Sequence, residues 1–143
     1  ESIPAGCDII EYTGQRVGRR EAVRRWNRNR TYLLKLDGYW RLDGAANGSG
    51  AQFINHCCEP NVRFRVDGGA VWCSAIQDIA AGEELTLDYK FPRDAERIPC
   101  YCGAPRCRGT INETLAAKPV ASFRSLATPC SVADASRASN QKK

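Results

Sequence analysis

Three of the eight cysteines in this 143-residue chain fall inside one short run, Cys100-Tyr101-Cys102-Gly103-Ala104-Pro105-Arg106-Cys107, and two more, Cys57 and Cys58, are neighbours. Spacing this tight limits what the chain can become. A disulfide needs a particular Cα separation and converging Cβ vectors, which Cys100 and Cys102 do not easily reach. A secreted disulfide scaffold is therefore a poor account of the pattern. Zinc ligation in a reducing, intracellular compartment explains it better.

Two upstream stretches answer the cysteine run. Gln52-Phe53-Ile54-Asn55-His56-Cys57-Cys58-Glu59-Pro60-Asn61 sets an amide and an imidazole side by side after an apolar run, then a cysteine pair and a Pro-Asn stop. Gly82-Glu83-Glu84-Leu85-Thr86-Leu87-Asp88-Tyr89 is a turn leading into a strand with a tyrosine at its end. The three pieces are expected to converge on one small-molecule site closed by a zinc knot.

Length predicts one domain with a real core and little to spare. No stretch is long and apolar enough to span a membrane, and no signal peptide is visible. The chain has no methionine and opens on Glu1, which reads as a fragment or a processed chain. Of the formal +5 charge, +3 lies from Glu113 onward, leaving +2 for the rest. Four thiolates around one zinc would add about −2, bringing the folded part near neutrality. Direct nucleic-acid binding by the whole domain is accordingly weak.

Strand candidates with turn punctuation dominate the reading. Asp8 to Tyr12 follows the turn Ile3-Pro4-Ala5-Gly6, and the related phrase Ile79-Ala80-Ala81-Gly82 leads into the later tyrosine strand. Thr31 to Leu36 and Tyr39 to Asp43 flank Asp37-Gly38, and Val62 to Val66 and Ala70 to Ile76 flank Asp67-Gly68-Gly69, giving two hairpins. Ala45 to Gly50 is a small-residue loop whose backbone would allow a ligand close approach. Arg19 to Arg30 is the one clear helix, with Ala22, Val23 and Trp26 on one face. Arg19, Arg20, Arg24, Arg25 and Arg28 lie mostly elsewhere, as a solvated face or a basic surface for an acidic partner. Beyond Glu113 the Ala/Ser-rich composition predicts a disordered tail over 113–143.

The central stretch resembles the Arg-Phe-Ile-Asn-His-Ser-Cys-x-Pro-Asn motif of SET-domain protein lysine methyltransferases. Gly82 to Tyr89 resembles that family's second motif, Glu11-Tyr12-Thr13-Gly14 its early strand, and Cys100 to Gly109 its post-SET C-x-C-x4-C pattern. All four stand in the family's order, covering about Ile3 to Asn112. Asp88-Tyr89-Lys90-Phe91-Pro92 with Ile98-Pro99-Cys100 is most similar to the trithorax-type branch, whose members methylate histone H3. The resemblance implies a mostly β fold of small sheets with a pseudoknot near Asn55-His56 and one short inserted helix. It also implies a SET domain over 1–92 and a zinc-bound post-SET segment over 93–112. The family's first Gly-x-Gly segment is absent.

The same resemblance implies roles. Tyr89 and Tyr12 would be catalytic, lining the lysine channel with Leu87 and Leu34. Asn55, His56, Tyr32 and Phe53 would bind S-adenosyl-L-methionine, and Cys58, Cys100, Cys102 and Cys107 would hold zinc. Outside these motifs each tyrosine reads more readily as a half-buried strand aromatic and the histidine as a structural residue. Cys7, Cys57 and Cys73 are expected as small core residues and Cys130 as a tail thiol. Leu87 stands where the family tends to carry Tyr or Phe, Gln52 where it carries arginine, and Ser49 where it carries asparagine. The implied partner is a protein substrate, a histone tail, with chromatin or regulatory-complex partners, in the nucleus of a eukaryote or the cytoplasm of a bacterium. The competing readings are a catalytically weak SET module that binds a partner and, further off, a zinc-binding structural or nucleic-acid module.

Overall fold

The computed structural model describes residues 1–26 and 32–114. They fall into two compact units. One contains Glu1–Ile9, Asn55–Arg63 and the described residues from Ser74 on; the other contains Ile10–Ile54 and Phe64–Cys73. In chain order the elements are β1 (Asp8–Glu11), β2 (Gln15–Gly18), α1 (Arg19–Arg25), β3 (Leu33–Lys35), β4 (Trp40–Asp43), β5 (Asn55–His56), β6 (Val62–Asp67), β7 (Ala70–Ala75) and β8 (Thr86–Leu87). The described residues are mostly strand and loop, as expected. One sheet runs β1-β7-β6-β8-β5, and the other runs β2-β4-β3.

Both predicted hairpins form. Asp37 makes the first by accepting the Tyr39 and Trp40 amides on Oδ1, each at 2.7 Å, so its side chain closes the turn. β3 and β4 then pair antiparallel, Leu34 opposite Leu42. The second turns at Gly68 and Gly69, whose φ of 56° and 88° is the left-handed backbone such a tight connection requires. β2 was not foreseen: Gln15 to Gly18 lacks strand alternation and owes its form to pairing with β4, Arg16 opposite Leu42.

The helix is shorter than its pattern suggested. It ends at Arg25, because Trp26 turns to extended backbone (φ −61°, ψ 122°), and residues 27–31, Arg28 among them, lie outside the described residues. Its apolar face is also smaller than expected. Ala22 is buried, but Val23 and Trp26 are exposed. Arg25 is turned inward instead, donating to Glu21 Oε1 (2.8 Å), Gln15 Oε1 (2.8 Å) and Asp43 Oδ2 (2.9 Å). The half-buried side chain of this turn is thus a guanidinium with three acceptors, and the tryptophan is left exposed.

In this second unit Tyr12, Ala51 and Val71 form a buried apolar centre covered by Ile10, Leu34, Leu36, Leu42, Ile54 and Phe64. The Ala45 to Gly50 loop serves that centre's frame. A Cβ on Gly48 would lie 2.2 Å from Gly44 O and 2.5 Å from the Gln52 amide nitrogen, so the close approach made there is the chain's own. Gln52 Oε1 accepts the Gly50 amide at 2.8 Å, and the Ser49 hydroxyl donates to Glu11 O.

In the first unit the two related phrases pair with each other. Ile3 and Ile79 exchange both backbone hydrogen bonds (2.9 and 2.8 Å), and Gly6 and Gly82 share a left-handed φ of 86° and 81°. The pseudoknot is visible in the strand order. β8 lies between β5 and β6 and is parallel to both, although residues 57–61 alone join them. The later chain therefore passes through the loop of the central motif, a rare threading.

Candidate functional site

Asn61, the last residue of the central motif, locks that threading. It is 4% exposed. Its Nδ2 donates to Glu83 Oε1 (2.9 Å) and to Glu84 O (2.8 Å), and its Oδ1 accepts the Thr86 amide (2.8 Å). A primary amide has donors and acceptor enough to hold both sides of a turn, which a carboxylate could not do. Asn55 adds Nδ2 to Glu84 Oε1 at 2.7 Å. The bonds to Asn61 and to the Ala80 amide hold the Glu83 carboxyl below its usual range, that to Ala80 the larger. Glu83, Glu84 and Asn61 were legible as a turn and a stop, not as each other's partners.

β5 is an edge strand of its sheet. The Cys57 amide donates to Leu87 O at 3.0 Å, and neighbouring residues in a strand turn their backbone groups to opposite sides. The N–H and C=O of His56 therefore face the open edge. A paired donor and acceptor on an edge is what the amino and ring-nitrogen edge of an adenine requires.

The His56 side chain points the other way and is 6% exposed. Its Nδ1 accepts the Tyr89 amide at 3.2 Å, and its Nε2 is 3.4 Å from Cys58 Sγ. Burial holds its pKa below the usual histidine value, with the Arg108 charge acting the same way against the opposing pull of Asp88. Tyr89 stands over this ring, centroids 5.3 Å apart, and meets Phe91 edge-on at 5.9 Å. It is 38% exposed and lies just past β8 rather than in it, because the ladder ends at Leu87. Leu87 is buried, opposite His56.

The four predicted cysteines come together. Cys58, Cys100, Cys102 and Cys107 have all their sulfurs within 4.8 Å of one another, with Cys58 Sγ 3.7 Å from Cys100 Sγ and 4.0 Å from Cys107 Sγ. A tetrahedral zinc with ~2.3 Å bonds to sulfur needs sulfurs ~3.8 Å apart, so this donor set fits a four-coordinate metal of that kind. Without a metal the thiols differ. Amides of Cys58 and Ala104 bring Cys102 down to about 6, whereas burial pushes Cys100 up to about 12 and Cys58 upward. Cys7 and Cys73 are buried, as expected of small core residues. Cys57 is not: it is half-buried, with Cys102 among its partners, because it follows an edge strand instead of entering the core. Cys130 lies outside the described residues.

A second link, absent from the motif reading, ties this cluster to Tyr89. Arg108 grips Asp88 with two bonds, 2.9 and 2.7 Å, while its amide donates to Cys58 Sγ at 3.4 Å. Burial alone would raise the Asp88 pKa, but the hydrogen bonds and charge of Arg108 outweigh it and leave the carboxyl below its ordinary value. Asn112 organises the rest of the segment, accepting the Ile98 amide (2.9 Å) and donating to Pro92 O (3.0 Å) and Glu96 O (3.2 Å).

The other predicted site residues belong to the second unit. Tyr12 is 4% exposed, and its hydroxyl donates to Tyr32 O at 2.5 Å. A Cβ on Gly44 would lie 2.7 Å from that hydroxyl, so only glycine leaves it room. Leu34 packs against the buried centre to which Tyr12 belongs. Phe53 is largely exposed and meets Tyr32 edge-on at 5.5 Å.

A threaded β fold with an Asn-His edge strand, an overlying tyrosine and a four-cysteine clamp defines a class, and sequence comparison agrees. Residues 1–90 match the SET domain, and the chain belongs to that family. It is 43% identical over 125 residues to the Saccharomyces cerevisiae protein named histone-lysine N-methyltransferase, H3 lysine-4 specific, a match covering 78% of this chain and 12% of the relative. It is 39% identical over 121 residues to the Drosophila melanogaster histone-lysine N-methyltransferase trithorax, covering 78% and 3%. The chain thus spans a small part of these relatives. Among solved structures it resembles KRYPTONITE in complex with mCHG DNA and SAH, with a TM-score of 0.66 and 31% identity, covering 78% of this chain and 25% of that one. A second KRYPTONITE complex contains mCHH DNA, an H3(1-15) peptide and SAH, with a TM-score of 0.65 and 30% identity. No helix among the described residues is long and apolar enough to cross a membrane.

Proposed function

We propose that this chain is an S-adenosyl-L-methionine-dependent protein-lysine N-methyltransferase domain acting on a histone H3 tail, and that chromatin in a nucleus is where it meets that substrate. The observation that carries the reading is Tyr89 standing over His56, whose backbone donor and acceptor face an open strand edge. The relatives' names and the SAH and H3 peptide of the solved neighbours support it.

His56 would hold the adenine through that backbone edge, with the Asn55 amide beside it in the same strand. The cofactor, when bound, supplies an electrophilic methyl group. The chain's own residues have two tasks. A free lysine amine has a pKa near ~10.4 and attacks only when neutral, so the site must disfavour its ammonium form, which an apolar wall at Leu87 would do by desolvation. The amine must also be aimed, and the hydroxyl of Tyr89 is the group suited to that. It need not act as a strong base. Cys58, Cys100, Cys102 and Cys107 would hold one zinc as thiolates, with a structural part only.

Tyr89→Phe tests the reading. Radiolabelled methyl transfer to histone H3 should fall about a hundredfold, with cofactor affinity by calorimetry changed less than about threefold; full activity in Tyr89→Phe sinks it. Leu87 bears on product. Lacking a hydroxyl that would restrain the amine, it should permit more than one methyl group, and mass spectrometry under excess cofactor should find di- or trimethyl-lysine. A product that stops at monomethyl-lysine overturns that assignment.

A further inference from the structure

The motif reading uses only the backbone of His56, yet its ring is the more buried part and touches two functional groups. The Tyr89 amide donates to Nδ1 at 3.2 Å. A backbone N–H can only donate, so toward Tyr89 Nδ1 acts with its lone pair and the proton of the neutral ring is left to Nε2. Asp88 Oδ1, the acceptor that would favour the other tautomer, is 3.7 Å from Nδ1, beyond hydrogen-bond reach, and is held by Arg108. Nε2 lies 3.4 Å from Cys58 Sγ, where that proton has a sulfur acceptor. The same sulfur receives the Arg108 amide at 3.4 Å, and the Arg108 guanidinium clamps Asp88, the residue before Tyr89. Two paths thus start at one sulfur and meet at the Asp88–Tyr89 peptide, one on the Tyr89 amide and one on the Asp88 carboxylate.

We propose that the His56 imidazole is a positioning residue that, as its Nε2–H tautomer, bridges the Cys58 sulfur to the Tyr89 amide and so makes the aim of the Tyr89 ring depend on the cysteine cluster. It acts through Tyr89 and not on the reacting atoms. Its effect on rate rests on the methyl-transfer reading, but the bridge can be observed without it. In this tautomer the ring offers an acceptor toward Tyr89 and a donor toward Cys58, with the Leu87 backbone as a further neighbour. Arg108 and Asp88 are the parallel strut, which keeps the segment near its place when the ring is replaced.

His56 is the only histidine of the chain, so its ring nitrogens are observed without ambiguity. Long-range proton–nitrogen NMR on the zinc-loaded, nitrogen-15-labelled full chain should find Nε2 protonated and Nδ1 bare; a proton on Nδ1 overturns the proposal. Two variants separate the halves. His56→Asn keeps an acceptor near the Nδ1 position and loses the donor to sulfur, whereas His56→Gln keeps a donor near Nε2 and loses the acceptor. In His56→Gln the Tyr89 amide should exchange about tenfold faster, and kcat should fall about tenfold with the cofactor KM changed less than about threefold. His56→Asn should recover the Tyr89 protection. Equal loss in both variants with KM raised in step would mean a cofactor contact and overturn the positioning role. Should a variant fail to fold, the tautomer of the unsubstituted chain decides. If that tautomer and the Tyr89 protection are as expected but no methyl is transferred, the bridge stands and the methyl-transfer reading falls.

Discussion

In the unit of Ile10–Ile54 and Phe64–Cys73, order comes from apolar burial: Tyr12, Ala51 and Val71 sit beneath leucine, isoleucine and phenylalanine side chains. Residues 98–112 of the other unit are built differently. Their buried members are Cys100, Thr110 and Asn112, and what holds them is sulfur near sulfur and the hydrogen bonds of one asparagine. A segment with so little apolar surface to remove from water cannot offset its own conformational entropy. It needs a strong local bond, and a metal held by four thiolates is one. The comparison predicts that the two regions fail under different insults.

The largest effect should follow metal removal. Zinc binding and folding are coupled in small cysteine sites, with apparent free energies of ~10–16 kcal/mol in zinc-finger peptides. Chelation, or Cys58→Ala, should strip exchange protection from the amides of Cys100 and Ile111, which now donate to Gly109 O and Ile98 O, and should take methyl transfer to background. The Tyr12 amide, bonded to Val71 O at 2.7 Å, should keep its protection. Simultaneous loss in both regions would break the comparison.

The converse test is Phe64→Ala. Phe64 meets Tyr12 edge-on at 5.3 Å, and removing it should cost about 3 kcal/mol in denaturant unfolding through lost burial and a residual cavity. Zinc affinity, read by competition with a chromophoric chelator, should stay within a few-fold. A large fall in affinity would mean that the apolar centre and the sulfur clamp are not separately stabilised.

The smallest effect sharpens the picture inside the clamped segment. Arg106 donates to Glu59 Oε1 at 2.6 Å, but its side chain is 86% exposed. An ion pair this open to water is screened and contributes little, so Arg106→Ala should scarcely move the unfolding midpoint or the zinc affinity. A loss comparable to that of Phe64→Ala would show that surface charge, and not sulfur alone, holds the segment.

Much of the site could be read directly. The C-x-C-x4-C spacing marked Cys100, Cys102 and Cys107, because thiolate ligands recur at short spacings wherever a metal must be enclosed by a loop, while the remote Cys58 came from the resemblance alone, and the fold gathers all four. Asp37-Gly38 and Asp67-Gly68-Gly69 declared their hairpins through local turn chemistry alone. The helix end was misjudged where local pattern met tertiary context: Arg25 found three acceptors and turned inward, and Trp26 left the helix.

By itself, then, the order of residues determined the family, the turns and the set of sulfurs, since each rests on neighbours in the chain or on a fixed spacing. Only the tertiary structure decided that β8 would pass between β5 and β6, that Asn61 would fasten the Glu83-Glu84 turn, and that Arg108 would hold Asp88. It also decided which nitrogen of His56 faces which partner. Apart from the approach of His56 to Cys58, those contacts join residues 20 or more positions apart. Nothing in local propensity ranks one distant partner over another, and the choice is made when the chain closes on itself and every buried polar group must find a bond.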